Sequence, residues 1–361
     1  MLRSLAATLL LFSLTAPLHA QSLEEMAGQM IIVGFAGDEA ADASVRAIAD
    51  EIAAGEIGGI MYLKTNVKSL KAVTAMNALF SAASPDLPPF ITLDQEGGLV
   101  ERLTKDVGFK ERPSAADIAR ADTPAKAEAI YAGMAKEIAA LGFNVNFGPV
   151  ADLAVNPNNQ VIARYGRAYG KDADTVAAYD QAFIDGHHEA GIITSLKHFP
   201  GHGSSTADSH EGFVDITRSW SDAELGPYRK LIAGGYADMV MAGHLYHAAY
   251  DPSGEELPAS LSPAWLTDVL RGQLGFTGVI ISDDLEMSAV RDHFPLRERI
   301  VRAVEAGIDI LLFSNTARPR ATIADEIREI LVSEAESDPA FRALIEASYA
   351  RIVALKARIS G

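Results

Sequence analysis

The chain has 361 residues, 48% of them hydrophobic and 22% charged, an ordinary globular composition that excludes wholesale disorder. Its formal net charge of -17, with no basic run, argues against a nucleic-acid or anionic-membrane partner, because both need clustered lysine and arginine. The absence of cysteine removes disulfides, thiolate metal sites and a cysteine nucleophile.

At the N-terminus Arg3 supplies one positive charge, residues 4–16 form a short apolar run, and Pro17 to Ala20 form a cleavage-site pattern. Residues 1–20 therefore read as a secretory signal, and the run is shorter than the roughly 20 apolar residues a membrane span requires. A periplasmic or secreted protein is expected, with residues 21–361 as one domain.

From there the pattern alternates. A short helix over 23–29 leads into an apolar strand over 30–35, helix 42–54 into strand 57–63, and helix 70–83 into strand 89–93. Helix 124–141, opened by a capping Thr123 and by Pro124, leads into strand 143–147, and helix 174–190 into strand 192–196. Helix 222–233, strand 239–242, helix 263–273, strand 279–282, helix 296–306 and strand 309–313 follow, and residues 319–358 read as helical. Eight apolar strands alternating with helices predict an α/β protein, a single-domain (β/α)8 TIM barrel. A doubly wound open sheet is the alternative, but no G-x-G-x-x-G follows any strand.

Side chains just past the C-terminal ends of barrel strands converge on one face. Here these ends carry Asp94 and Glu96, Asp152, Lys197 and His198, His244, Asp283 and Asp284, and Ser314 and Asn315. Taken singly, Asp94, Asp152, Asp283 and Asp284 are equally compatible with turns and helix caps. Together they admit two chemistries. In glycoside hydrolysis, Asp283 supplies a carboxylate, His210 a proton with Asp208 orienting its ring, and Lys197, Arg102 and Arg167 hydrogen-bond donors. In a metal site, His198, His202, Asp208, His210, His244 and Asp283 are all ligand types, although no H-E-x-x-H occurs. A Ser-His-Asp hydrolase lacks a G-x-S-x-G elbow.

Four motifs run in order: Asp94-Gln-Glu-Gly-Gly-x-Val-x-Arg102, Arg167-Ala-Tyr-Gly170, Lys197-His-Phe-Pro-Gly-His-Gly with Asp208-Ser-His210, and Ser282-Asp283-Asp-Leu-x-Met287. With them the chain resembles the β-N-acetylglucosaminidases of glycoside hydrolase family 3, single-barrel enzymes acting on peptidoglycan fragments. The resemblance implies a retaining mechanism without a cofactor or metal. Asp283 is then the nucleophile and His210, paired with Asp208, the acid/base, while Asp94, Arg102, Arg167, Lys197 and His198 bind the N-acetylglucosamine unit. The expected partner is a carbohydrate. A barrel that only binds amino sugars, and a metal-dependent barrel hydrolase, are the alternatives.

The chain departs from the family pattern at Leu99 and at Ser204-Ser205, and by its signal segment. The run Val161-Ile-Ala-Arg-Tyr-Gly-Arg167 is also longer by two residues, so Arg164 competes with Arg167 for the sugar. Because the loop must bring His210 to the substrate, it is expected to move and, without substrate, to hold His210 away from Asp283.

Overall fold

The computed structural model describes residues 21–316 and 319–359; the expected signal segment lies outside them. Eight parallel strands form the centre: Ile31–Gly34, Gly59–Met61, Phe90–Leu93, Val145–Asn146, Ile193–Phe199, Met239–Ala242, Val279–Ser282 and Leu311–Phe313. Each pairs with the next in sequence, and the eighth pairs with the first through Ile31 opposite Leu311. A bridge between Ile281 and Ile310 joins the seventh to the eighth, so the sheet closes. Almost every residue of these strands is buried, as parallel strands covered by helices must be, and the expected (β/α)8 barrel is borne out.

The helices form where the apolar spacing and start signals put them. Ser22 caps Leu23–Gln29 reciprocally, its hydroxyl accepting the Glu25 amide at 3.1 Å while the Glu25 carboxylate accepts the Ser22 amide at 3.0 Å. Helix Pro124–Ala140 starts at the proline as expected, although the Thr123 hydroxyl makes no capping bond. It packs on Ala173–His188 so closely that a Cβ on Gly186 would lie 2.7 Å from the Ala132 nitrogen.

Several expectations are corrected. The stretch 319–358 is two helices, Ile323–Ser337 and Pro339–Lys356, because Asp338 caps a new start and Pro339 cannot continue the first. Residues Ala264–Gln273 are helical but wound wider, with Leu274 N bonding Val269 O five residues back. Asp222–Leu225 is a tight turn ahead of the helix Gly226–Ala233. Helix Ala115–Ala121 and a parallel ribbon of Val214–Asp215 with Leu245–Tyr246 were not expected.

Among the described residues no helix is long and apolar enough to cross a membrane. One main core joins barrel and helices, with Trp265, Tyr62, Tyr131, Phe90 and Phe199 fully buried within it. Each such side chain contributes about 1.5–3 kcal/mol by leaving water, which holds the strand ends in register.

Candidate active site

A cleft of about 380 Å³ opens at the C-terminal face of the barrel, lined by Asp94, Arg102, Arg167, Lys197, His198, Asp208, His210 and Asp283 among others. All eight residues singled out in the sequence are thus gathered on one surface.

The third strand delivers two carboxylates through a simple alternation. Gln95 is fully buried, its backbone clamped by Asn146 from the fourth strand and its side-chain oxygen accepting the amides of Arg102 and Leu103 at 3.0 Å each. With Gln95 anchored in this way, its neighbours Asp94 and Glu96, themselves buried, both meet the Lys197 ammonium. Lys197, only 2% exposed, lies 2.7 Å from both Asp94 Oδ1 and Glu96 Oε1. Arg102 Nη2 donates to Asp94 Oδ2 at 2.7 Å, and Arg167 grips Glu96 with two bonds, at 2.8 and 2.7 Å.

Burial alone would raise both carboxyls, but Lys197 and Arg102 outweigh it at Asp94, and Arg167 and Lys197 at Glu96, so both are held below the usual range. Paired this way, the cations keep spare N–H groups for hydroxyl or acyl oxygens of a ligand. Arg164, exposed and bonded to Gln160 Oε1 at 3.1 Å, lies outside this cleft; Arg167 lines it.

The fifth strand carries Lys197 into His198, whose Nδ1–H donates to Asp152 Oδ2 at 2.7 Å. Asp152 is fully buried and is stabilised as an anion chiefly by His198 against the cost of burial. That bond fixes the ring so that Nε2 faces Arg167 Nη2 at 3.4 Å. Asp152 also accepts the His202 amide at 2.7 Å.

Asp283 follows the seventh strand, its amide donating to Ala242 O at 2.9 Å and its Oδ1 accepting the Asp284 amide at 2.8 Å. Both aspartates line the cleft, and they differ in their bonds: Asp284 closes the turn, accepting the Glu286 and Ser314 amides at 3.0 and 2.9 Å. Burial would raise Asp283, but His198, His244 and His210 outweigh it and hold the carboxyl at about 2. It is therefore an anion over the whole working range.

His210 sits at the tip of the loop after the fifth strand, its side chain 66% exposed, with Nδ1–H donating to Asp208 Oδ1 at 2.7 Å. Burial would raise Asp208, but the amide and the ring of His210 hold it below the ordinary value. Between them Ser209 is buried, facing His202 Nε2 at 3.5 Å, so Asp208 and His210 project together, as Asp94 and Glu96 do. His210 and Asp283 line the same cleft.

The other histidines have their ring nitrogens engaged. His202 bonds Ser205 Oγ at 2.6 Å, and His244 Nε2–H donates to Asp284 O at 2.9 Å while its Nδ1 accepts from Ser260. Burial keeps both below the usual histidine value, His202 at about 4. With both ring nitrogens bonded, these two histidines are structural members of the site wall.

Glu96 and Asp152, although noticed at their strand ends, were not expected as site members, and Glu224 was missed. Each is identified by a partner distant in the sequence, respectively Arg167, His198 and Gly203.

A closed parallel barrel whose C-terminal mouth combines an aspartate held low, an Asp-His pair and a cluster of paired lysine and arginine side chains is built for hydrolytic chemistry on a polar substrate. The chain matches the family model "Glycosyl hydrolase family 3 N terminal domain" over residues 22–355. It is similar to a β-hexosaminidase of Stenotrophomonas maltophilia (strain R551-3), 36% identical over 292 residues covering 78% of this chain and 82% of the relative. Among solved structures it is similar to a family 3 β-N-acetylglucosaminidase from Paenibacillus sp. str. FPU-7, with TM-score 0.85 and 34% identity over 94% of this chain. The match spans 63% of that longer chain. A β-N-acetylhexosaminidase from Beutenbergia cavernae DSM 12333 matches over 93% of this chain and 99% of its own, with TM-score 0.81 and 31% identity. The chain belongs to glycosyl hydrolase family 3, and it is a glycoside hydrolase.

Proposed function

We propose that the protein is a retaining exo-β-N-acetylglucosaminidase that removes terminal N-acetylglucosamine from peptidoglycan fragments or related amino-sugar oligosaccharides. The observation that carries the reading is an ionised Asp283 on the same cleft as the Asp208–His210 pair. The relatives named β-hexosaminidase and β-N-acetylglucosaminidase support the sugar specificity.

In the first step the Asp283 carboxylate bonds to the anomeric carbon while protonated His210 gives its proton to the departing glycosidic oxygen. In the second, neutral His210 takes a proton from water, the water oxygen bonds to the anomeric carbon, and Asp283 leaves as the carboxylate. Asp208 accepts from His210 Nδ1 and orients the ring in both steps. Asp94, Arg102, Lys197, Arg167 and His198 hold the sugar. On the same reading residues 1–20 direct export, so the enzyme meets its substrates in the periplasm or outside the cell.

A mechanism-based fluorinated N-acetylglucosaminide tests the proposal: it should inactivate the enzyme and leave its mass on the peptide containing Asp283. Hydrolysis of a chromogenic β-N-acetylglucosaminide with the label on another residue would overturn the assignment, and binding without any hydrolysis would overturn the enzymatic reading.

A further inference from the structure

Beneath the loop that carries His210 lies a carboxyl with no part in the mechanism above. Glu224, in the turn Asp222–Leu225, is 1% exposed, and its Oε2 accepts the Gly203 amide at 2.9 Å. The Ser204 amide and hydroxyl face the same carboxyl. The chain passes so close that a Cβ on Gly201 would lie 2.6 Å from the Glu224 Cβ, and one on Gly203 only 1.7 Å from Leu153 O. The loop root is therefore seated between Glu224 on one side and Asp152–Leu153 on the other.

From this root a chain of contacts runs to the tip. Asp152 takes the His202 amide, and Asn159 Nδ2 donates to His202 O at 2.8 Å and to Ser205 O at 3.2 Å. The His202 ring then spans Ser205 Oγ and Ser209 Oγ, the latter in the residue between Asp208 and His210. Ser209 O accepts the Ala289 amide at 3.2 Å, tying the tip to the segment just after Asp283.

Keeping a carboxyl here is costly. Burial, and then the neighbouring Asp152 carboxylate, push Glu224 up to about 7, while Tyr228 stands on the helix that follows. A buried acidic group in such surroundings is expensive for a fold, and here it is spent on the root of one loop.

We infer that Glu224 is a positioning residue for the acid/base loop, holding the Gly203 root so that Asp208 and His210 are presented to the cleft. The inference rests on the reading of His210 as acid/base. Loss of Glu224 should then mimic a partial loss of His210, a signature that simple destabilisation does not produce.

The experiment compares wild type, Glu224→Gln, Glu224→Ala and His210→Ala on two β-N-acetylglucosaminides, one with a dinitrophenyl leaving group and one with a second sugar. General acid catalysis is worth about 10²–10⁴-fold and matters most for the poor leaving group. Glu224→Ala should lose about 10-fold or more on the disaccharide but only about 3-fold or less on the dinitrophenyl substrate, with Glu224→Gln between it and wild type. Should the alanine variant fail to fold, the glutamine variant alone carries the test, losing more on the disaccharide than on the dinitrophenyl substrate. Equal losses on both substrates for Glu224→Gln, with His210→Ala still selective, would overturn the positioning role alone. Equal losses for His210→Ala would overturn the acid/base reading itself, and the inference with it.

Discussion

Replacing Lys197 by methionine keeps most of the apolar stem and removes the charged, hydrogen-bonding Nζ. Lys197 Nζ is 2.7 Å from carboxylate oxygens of both Asp94 and Glu96, at 2% exposure. Removing one partner of a buried ionic cluster costs about 3–5 kcal/mol, because the charges left behind are uncompensated. Here Asp94 retains Arg102 and Glu96 retains Arg167, which sets the expectation at the lower end, ~3 kcal/mol. At roughly 2 °C per kcal/mol for a chain of this size, the melting temperature at pH 7 should fall by about 6 °C.

The loss should also depend on pH. Lys197 helps to depress both carboxyls, so its stabilisation is complete above the unfolded carboxylate range near pH 4 and fades as pH falls through the lower folded values. In the variant both carboxyls protonate more readily, so the gap from wild type should narrow below about pH 4. Thermal unfolding followed by circular dichroism at pH 7 and at pH 3.5 reads this directly. Equal melting temperatures at pH 7, or a gap that is the same at both pH values, would refute the electrostatic account.

Asp283→Asn should lower turnover by about 10⁴-fold or more while sugar binding, read by calorimetry, persists. Because Asp283 is held at about 2, its nucleophilic form is complete above that value and is lost only as pH falls through it. Inactivation by a fluorinated sugar fluoride, which needs no acid, should be flat from pH 4 upward, and a limb between pH 4 and 6 would contradict the assignment. Arg167→Ala should cost about 3 kcal/mol of stability and most sugar affinity, since Glu96 loses its two-pronged partner but keeps Lys197. Arg164→Ala should change KM by less than about 2-fold, as an exposed residue outside the cleft. Finally, burial holds Lys356 at about 7, so the unfolded chain binds the extra proton between there and its ordinary 10.5. Stability should rise with pH across that window in urea titrations, and Lys356→Met should flatten the rise.

The barrel was legible because parallel strands covered on both sides are apolar throughout, and eight such runs stand apart from the amphipathic stretches between them. What escaped was local: a two-residue ribbon has too little pattern to read, and the winding of Ala264–Gln273 is set by hydrogen-bond choice rather than by residue type. In the site, the strand-end rule found Asp94, Lys197, His198 and Asp283. It named Asp283 as the carboxylate without showing what Asp284 does, and the Ser314 and Glu286 amides reveal that Asp284 closes the turn. Glu224 looks in sequence like an ordinary acid at a helix start, and its burial depends on a loop twenty residues away.

Two segments of the site share one construction, a buried middle residue with a functional residue on either side: Asp94-Gln95-Glu96 and Asp208-Ser209-His210. Spacing about the anchored middle residue is what such a triplet must preserve. Adding or deleting a single residue would break the Gln95 bonds to Asn146, Arg102 and Leu103, or the Ser209 contact with His202, and with them the placing of the flanking side chains, so length changes there should be selected against more severely than most substitutions. The turn at 161–167 is under no such rule. Its backbone closes locally, through Arg167 N on Ile162 O at 3.0 Å, and Arg167 still reaches Glu96. Length variation among homologous chains should therefore collect in that turn and spare the two triplets.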